Sequence, residues 1–486
     1  MNYILEDMEP KRVLHFFEEI CAIPHGSYHV QEISDALVRF AKDRGLKYTQ
    51  DDAGNVIIRR DGSKGHENAK PLILQGHMDM VLEKADGVDL DMETRPIRLR
   101  CDGDTLYAEG TTLGGDDGIA VAMMLAALDD DKLVHPPLEC VFTVNEEVGL
   151  LGAEALDVSS LKGRRMLNLD SEEEGVFTAG CAGGAEQIFH IPVEKKPKFG
   201  MQLHIEISGL RGGHSGSCIN LGRANADILM GRILYRISKK AEPRILKLTG
   251  GSKDNAIPRG CVCDCLFDAT ADGREAARAV EKETKKILNE YRFTDPDIQV
   301  THDWTDATSL AQDAVCRADT MKIIRFLMVT PNGVLEMDPN IKDLPQTSLN
   351  LGILDVGTDE VTATFLVRSS IDSQKKNLMK RLQCLADLVG AAIETRGEYP
   401  AWEYVKDSPF RDELVSVYEK QNGRKPAVSI THGGLECGLL AAKLKGLDCV
   451  SVGPDMEGIH TPDEKLSVSS VERLWNFLVK VMEELS

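Results

Sequence analysis

Apolar and polar residues follow two different periods along the first 190 residues of the chain. Residues 10–23 and 29–45 carry apolar side chains at three- and four-residue spacing, which predicts amphipathic helices. Strand-like apolar runs follow at 55–60, 71–77, 139–144 and 166–170. A small-residue helix is predicted between two of these runs, at 118–130. This alternation predicts an α/β fold whose central sheet is largely parallel.

The pattern changes after a lysine- and proline-rich segment at 192–200, where we expect the chain to cross between domains. Beyond it, two units each combine an alternating strand with a long amphipathic helix, at 261–269 with 274–292 and at 361–369 with 372–393. Each unit also has an asparagine upstream, Asn255 or Asn350. We therefore predict an internal duplication in this α+β region.

The end of the chain returns to the first pattern. Helices are predicted at 410–423 and 468–485, with a strand at 448–454 between them. A chain of 486 residues is also too long for one ordinary hydrophobic core. We predict a discontinuous α/β domain, residues 1–190 and 397–486, with a second domain inserted at 191–396.

Charge and composition exclude several classes of partner. The formal net charge of −21, without a basic stripe, argues against nucleic acid as a partner. The first residues, MNYILEDMEPKR, lack the basic start and apolar core of a signal peptide. The sequence has no apolar run near the roughly 20 residues that cross a membrane, so a cytoplasmic protein is predicted. Among its 12 cysteines, Cys261, Cys263 and Cys265 share one strand face and are predicted to be buried in the core.

Metal-type ligands follow several of the predicted strands. They are His77 and Asp79, Asp116 and Asp117, Glu146 and Glu147, Asp170, and His460. Each is weak evidence alone, because an Asp-Asp-Gly turn or a solvated Glu pair is ordinary loop chemistry. In open α/β sheets, however, the carboxyl ends of the strands converge on the ligand crevice. Two histidines with a surplus of carboxylates suit zinc or a similar divalent ion, and the surplus suggests two ions that share a carboxylate.

The motifs that carry these residues resemble those of a known family, the metal-dependent aminoacyl-histidine dipeptidases, within the larger group of co-catalytic zinc peptidases and deacylases. The similarity covers nearly the whole chain. Its motifs are 75-QGHMDMV-81, 112-TLGGDDGIAVA-122, 145-NEEVGLLGA-153, 168-NLDSEE-173, 211-RGGHSG-216, 431-THGGLECG-438 and 457-EGIHTPDE-464. Leu82 departs from the pattern, since relatives often carry proline there.

The resemblance implies roles for the residues of the first domain. Asp116 would bridge two zinc ions, with cobalt or manganese as other candidates. His77 and Asp170 would complete the ligands of one ion, and Glu147 and His460 those of the other. Asp79 would orient His77, as partners of ligating imidazoles do. Glu146 would be the general base that takes a proton from a metal-bridging water.

The inserted domain would act as a lid in this family. His214 is implied as a donor to the oxyanion that develops on the peptide carbonyl. Arg368 is a candidate for the substrate carboxylate, with an ion pair to Asp372, Asp355 or another lid carboxylate as the alternative. Asn255 and Glu436 are candidates for other polar contacts, Glu436 for the free amine. The expected partner is a small dipeptide, and a homodimer through the lid domain is a further expectation.

Two other readings remain open at this point. A carboxypeptidase or an N-acyl amino acid deacylase would keep the metal site and change the substrate. A binding protein that has kept the fold and lost catalysis is less consistent with the sequence, since all five expected ligands and Glu146 are present. Nucleotide binding through residues 111–118 is excluded, because this turn has no P-loop lysine and carries two negative charges.

Overall fold

A computed structural model of the protein describes residues 3–268, 270–306, 311–339 and 341–486. Residues 1–2, part of the segment assessed for a signal sequence, and Ala269, the end of a predicted strand, lie outside this range. The chain forms two compact units. The first unit comprises Met1–Cys181, Tyr404–Ile430 and Leu435–Ser486, and the second comprises Ala182–Glu403 and Thr431–Gly434. The domain boundaries expected after residues 190 and 396 stay a prediction.

The amino-terminal part of the first unit alternates helices and strands. In chain order they are α1 (Lys11–Cys21), α2 (Gln31–Asp43), β1 (Lys47–Gln50), β2 (Val56–Arg60), β3 (Leu72–His77), β4 (Leu99–Asp102), β5 (Thr105–Ala108), α3 (Gly115–Asp129), β6 (Leu138–Thr143), α4 (Leu151–Ala155), β7 (Arg165–Asn168) and β8 (Val176–Cys181).

The second unit is richer in strands. Its elements are β9 (Gly183–Pro192), β10 (Lys195–Lys198), β11 (Met201–Ser208), β12 (Gly213–His214), α5 (Ala226–Ser238), β13 (Arg244–Gly251), β14 (Ala256–Ile257), β15 (Cys261–Phe267), α6 (Thr270–Glu290), β16 (Gln299–Asp306), β17 (Gln312–Val315), α7 (Arg317–Val329), β18 (Gly333–Met337), β19 (Pro345–Val356), β20 (Glu360–Ser369), α8 (Asp372–Val389) and β21 (Ala392–Tyr399).

The carboxyl-terminal part of the chain completes the first unit. Its elements are α9 (Pro409–Asn422), β22 (Ala427–Thr431, whose last residue groups with the second unit), α10 (Glu436–Lys443), β23 (Asp448–Ser451), β24 (Met456–Glu457), β25 (Lys465–Ser467) and α11 (Val468–Glu484).

The main sheet of the first unit has the strand order β1-β2-β6-β3-β7-β23-β8-β22. Its centre is parallel, because β3 pairs in parallel with β6 and β7, and β23 pairs in parallel with β7. Every residue of β3 is buried, as expected for a central strand covered on both faces. The predicted α/β fold with a largely parallel central sheet is confirmed.

The main sheet of the second unit has the order β16-β11-β15-β13-β19-β20-β9-β21, with β18 paired to β19. Helices α5 and α6 contact strands of its first half, and α8 contacts β20, β9 and β21 in its second half. Cys261, Cys263 and Cys265 are buried in its hydrophobic core, as predicted. The internal duplication stays a prediction.

The segment at 192–200 differs from its expected role as a crossing between domains. Lys195–Lys198 form β10, which pairs antiparallel with β17 inside the second unit. A two-stranded ribbon tolerates lysines and a proline because both of its edges are free. No described helix is long and apolar enough to span a membrane.

Candidate active site

Three neighbouring strands of the first unit bring candidate ligands to one edge of the sheet. His77 is the last residue of β3, and Asp170 lies two residues beyond the end of β7. Glu146 and Glu147 follow the end of β6 by three and four residues. Since β6, β3 and β7 run in parallel, these side chains come together where the strands end.

Five of the predicted residues form two groups that share Asp116. His77 Nε2 lies 3.1 Å from Asp116 Oδ1 and 3.9 Å from Asp170 Oδ1. On the other side, His460 Nε2 lies 3.1 Å from Asp116 Oδ2 and 2.8 Å from Glu147 Oε1. Within each group, all ligand-type atoms lie within 4.8 Å of one another. Asp116 therefore turns one carboxylate oxygen toward each group.

Glycines around Asp116 and Asp117 allow this close approach. Gly114 has φ +70°, in the left-handed region that favours glycine, and it precedes the turn that starts α3. A Cβ at Gly76 would lie 2.5 Å from the Asp117 Oδ2 atom. Without that Cβ, Asp117 can accept a hydrogen bond from the His77 backbone N–H at 3.2 Å. The two glycines thus place both aspartates against the end of β3.

Asp79 connects His77 to the loop of the glutamate pair. Its Oδ1 accepts a hydrogen bond from the Glu146 backbone N–H at 3.0 Å, and its Oδ2 accepts one from Ser27 Oγ at 2.9 Å. His77 Nδ1 lies 3.0 Å from the Asp79 carbonyl oxygen and 3.6 Å from its carboxylate. A proton on Nδ1 is thus satisfied by Asp79, which leaves Nε2 facing Asp116 and Asp170.

Burial and charge perturb the carboxyl groups of this cluster in opposite directions. Burial, with added repulsion from neighbouring carboxylates, raises the pKa of Glu146 and of Asp170. Burial also opposes ionisation of Asp116, but hydrogen bonds from His460 and His77 outweigh it and lower its pKa. At His460, burial lowers the pKa, but hydrogen bonds to Asp116 and Glu147 outweigh burial and raise the pKa of the imidazole to about 11. Such an excess of negative charge in a dry site is compensated when divalent cations are bound.

The donor atoms also fit such ions chemically. Each group offers one imidazole nitrogen and carboxylate oxygens from two residues. This set of nitrogen and oxygen ligands suits zinc and similar first-row divalent ions. Glu146 lies with His77 and Glu147 in a third group of the same kind. It therefore stands beside the two groups and belongs to neither.

Glu436 lies beneath this cluster, in a buried polar network that the sequence did not reveal. Its Oε2 accepts hydrogen bonds from Gln75 Nε2 at 2.6 Å and from Thr143 Oγ1 at 2.5 Å. Asn168 Nδ2 in turn donates to Gln75 Oε1 at 2.7 Å. Glu436 is 0% exposed, so the structure gives no support to the expected contact with a substrate amine. The signal for this network was Gln75, a polar residue inside the apolar run 71-PLILQGH-77.

In the second unit, His214 and Asn255 lie on neighbouring segments. His214 ends β12, which pairs with β14, and the next residue donates its backbone N–H to the Asn255 carbonyl oxygen at 2.7 Å. The backbone N–H groups of Gly216 and Ser217 point to His214 Nδ1 at 3.3 and 3.4 Å. These contacts favour the neutral tautomer that carries its proton on Nε2.

Arg368 is held inside the second unit by polar neighbours. It lies on β20, is 6% exposed, and donates to Tyr399 Oη at 3.2 Å. Its cross-strand partner Ser348 lies 2.7 Å from His432 Nε2. Burial, and then the charge of Arg368, lowers the pKa of His432 to about 3. Among the described residues, no ion pair joins Arg368 to Asp355 or Asp372, so that alternative is wrong.

Comparison with known proteins shows the family to which the chain is related. The model of peptidase family M20/M25/M40 matches residues 73–484. A cytosol non-specific dipeptidase from Escherichia coli (strain K12) is 35% identical over 486 residues, which is 99% of each chain. The crystal structure of an aminoacylhistidine dipeptidase from Vibrio alginolyticus has a TM-score of 0.87 and 35% identity, covering 99% of this chain and 98% of that one.

The chain belongs to peptidase family M20/M25/M40. It is therefore a hydrolase of the metallopeptidase class, and the family resemblance inferred from the motifs is confirmed. The aminopeptidase PepT from Bacillus cereus, with 17% identity and a TM-score of 0.56 over 98% of this chain and 99% of that one, shares the fold. The roles of individual site residues remain predictions.

Proposed function

We propose that this member of the family is a two-metal dipeptidase that hydrolyses Xaa-His and related unblocked dipeptides. The observation that carries the proposal is the pair of ligand groups, His77 with Asp170 and Glu147 with His460, joined by Asp116. The names of the two relatives that align along the whole chain, a non-specific dipeptidase and an aminoacylhistidine dipeptidase, support the substrate class. Zinc fits the donor set best, with cobalt or manganese as alternatives.

Glu146 is the proposed general base. Two bound ions would act as Lewis acids that polarise the peptide carbonyl and would lower the pKa of the attacking water toward 7. Glu146 accepts the proton of this water and then passes it to the leaving amine. Its backbone is fixed by Asp79, and its carboxyl group lies beside His77 and Glu147. The adjacent glutamates thereby take different tasks, one with the ions and one with the proton.

Three residues of the second unit are proposed to contact the substrate. His214, with its proton on Nε2, would donate to the developing oxyanion. Arg368 would bind the free carboxylate, since its planar guanidinium has no carboxylate partner among the described residues. Asn255 would make a further polar contact. These assignments rest on the family resemblance of the motifs at 211–216 and 431–438.

The location and the assembly of the protein are also part of the proposal. We propose a cytoplasmic protein, because the Escherichia coli relative is named a cytosol dipeptidase. We also propose that the inserted region at 191–396 acts as a lid and supplies the contacts of a homodimer. Sedimentation of the purified protein tests the homodimer directly.

The decisive experiment is hydrolysis of β-alanyl-histidine by purified protein before chelation, after chelation, and after addition of zinc. We expect activity that disappears with chelator and returns with zinc. Glu146→Gln should lower kcat by about 10²–10⁴-fold, the range for loss of a general base, and should leave two zinc ions bound. Glu154→Gln is the matched control, because Glu154 is exposed in the same region and should leave kcat unchanged.

A second substrate class has a specific observation in its favour. A free amine is best recognised by a carboxylate, and Glu436, the residue expected to provide one, is buried. An N-acyl amino acid deacylase of the same family needs no such partner. Faster hydrolysis of N-acetyl-histidine than of β-alanyl-histidine by the zinc-loaded protein would replace the dipeptidase assignment by this one.

A further inference from the structure

Glu464 has a buried carboxylate that binds the backbone of a distant loop. The residue is 3% exposed and lies four positions after His460. Its Oε2 accepts hydrogen bonds from the backbone N–H groups of Leu113 at 2.7 Å and Gly114 at 3.2 Å. Its Oε1 accepts from those of Gly115 at 2.8 Å and Asp116 at 3.5 Å. One side chain thus accepts hydrogen bonds from the backbone N–H groups of the loop that leads into Asp116.

The Glu464 carboxylate is repelled by a nearby negative charge, and its hydrogen bonds to backbone N–H groups offset this repulsion. The carboxylate stands close to Asp116, another negative group, so electrostatic repulsion alone would drive it away. The N–H groups at the start of α3 are otherwise without partners inside the helix, and a carboxylate is their strongest acceptor. A Cβ on Gly115 would come within 3.3 Å of Glu464 Oε1, so glycine keeps this approach open.

The loop of Glu464 is also the loop of His460, and its backbone is tightly constrained. His460 has φ +60°, an uncommon conformation for a residue other than glycine, which persists only where the surroundings enforce it. It lies inside a turn in which the Thr461 N–H donates to the Gly458 carbonyl at 3.2 Å, and a second turn follows directly, in which the Glu464 N–H donates to the Thr461 carbonyl at 3.1 Å. Anchoring Glu464 therefore also anchors His460.

We propose that Glu464 is a positioning residue that holds Asp116 and His460 in register with each other. The two residues are far apart in the chain, and they meet through His460 Nε2 and Asp116 Oδ2 at 3.1 Å. The Glu464 carboxylate ties their two loops together without contacting an ion or the substrate. This inference rests on the proposed function, because it assumes that Asp116 and His460 bind metal.

Zinc affinity of the metal-free protein, measured by calorimetric titration, tests the proposal. Glu464→Gln keeps the shape of the side chain but turns an NH₂ group toward backbone donors. We expect zinc binding to weaken about 10–100-fold, the range for loss of a partner that orients metal ligands. Asp463→Asn is the control: it removes the same charge from the adjacent, exposed residue and should leave the affinity within about two-fold of wild type.

The unfolding midpoint of each metal-free variant separates positioning from general stability. A purely structural role would lower the midpoint of Glu464→Gln and leave its zinc affinity within about two-fold of wild type, and that result overturns the proposal. If this variant does not fold, Glu464→Asp, which keeps the charge and shortens the side chain by one carbon, is judged by the same comparison.

Failure of the proposed function is recognised separately. A wild-type protein that binds zinc and cleaves no dipeptide loses its substrate assignment, while the role of Glu464 is still decided by the affinities. A wild-type protein that binds no zinc overturns both.

Discussion

The carboxyl group of Glu436 is hydrogen-bonded to two of the strands that carry the candidate site residues. It accepts hydrogen bonds from Gln75 on β3 and Thr143 on β6, the two strands that lead to His77 and to the glutamate pair. Burial raises the pKa of Glu436 to about 7. A group in this position links the ends of β3 and β6, so we expect it to contribute to folding.

Replacing Glu436 by glutamine separates a role in folding from one in substrate binding. We expect Glu436→Gln to change the free energy of unfolding at pH 5 by less than about 1 kcal/mol, because the native carboxyl group is protonated there and the amide oxygen can still accept from Gln75 and Thr143. The KM for β-alanyl-histidine should remain within about two-fold of wild type, since the carboxyl group is buried and bound by Gln75 and Thr143. Steady-state kinetics and urea unfolding measure the two effects. An increase in KM of about ten-fold or more would restore Glu436 as the amine contact.

Asp227 in the second unit predicts a dependence of stability on pH. Burial raises the pKa of Asp227 to about 7, and the neighbouring Cys261 thiol lowers it less. In the unfolded chain an aspartate ionises near pH 4. As the pH rises from about 4 to about 7, the unfolded state releases this proton and the folded state retains it, so the folded state loses stability.

Asp227→Asn should remove this loss. Relative to wild type, the variant should gain stability progressively between pH 5 and pH 7 and hold a constant advantage on the order of 2–4 kcal/mol above pH 7.5. Urea unfolding of the metal-free protein tests this in a Trp475→Phe background, because Trp304 and Trp402 then report on the second unit. An advantage that is the same at every pH would contradict the assignment.

At the scale of single elements, Lys375 fastens α8 to β21. Lys375 is 1% exposed, and its Nζ donates to the Tyr399 carbonyl oxygen at 2.5 Å. It also lies 3.2 Å from an Asp372 carboxylate oxygen and 3.3 Å from one of Glu398. Its neighbour Lys376 reaches Asp372 at 2.6 Å from an exposed position.

The two lysines offer a matched pair of substitutions. Lys375→Met should lower the free energy of unfolding by about 2–3 kcal/mol, because it leaves buried acceptors without a donor. Lys376→Met should change it by less than about 0.5 kcal/mol, as an exposed ion pair contributes little. Denaturant unfolding of both variants measures the difference. Equal losses of unfolding free energy in the two variants would show that the burial of Lys375 does not contribute to stability.

The spacing of apolar residues predicted the positions of most helices and strands, because this spacing depends on local packing. The helix predicted at 468–485 forms as Val468–Glu484, because its apolar stripe needs only one core to pack against. Residues 192–200 were predicted to cross between domains, but part of this segment forms β10. The sequence did not predict this strand, because β10 exists only through its pairing with β17, which lies more than a hundred residues away. The candidate ligands could be named from the sequence because their motifs are local. Glu436 and Glu464 were not assigned their roles, since those depend on neighbours across the sheet and across the chain.

For the whole molecule, the bound ions would join two distant parts of the chain within the first unit. Asp116, shared by the two groups, makes them one site, and His460 brings the carboxyl-terminal part of the chain to it. The sequence predicted this discontinuous arrangement from the return of the strand–helix pattern after residue 396. The two units are separated after residues 181 and 403 by their tertiary contacts, which the spacing of apolar residues along the chain does not reveal.

Zinc should therefore stabilise the folded chain by mass action. At a free concentration 100 times its Kd, an ion adds about 2.7 kcal/mol to the free energy of unfolding. Calorimetry should show an unfolding midpoint that rises with each increase in free zinc. Asp116→Asn, which removes the shared carboxylate, should abolish most of this rise. Midpoints that are identical in chelator and in zinc would contradict the presence of the site.

The late position of His460 also has a consequence for biosynthesis. A ribosome makes the other four proposed ligands before residue 171, then the entire second unit, and reaches His460 only after that. A nascent or prematurely terminated polypeptide therefore carries an incomplete set of ligands. On the proposed ligand assignment, a chain that ends before residue 460 would lack one metal ligand and would not hydrolyse dipeptides.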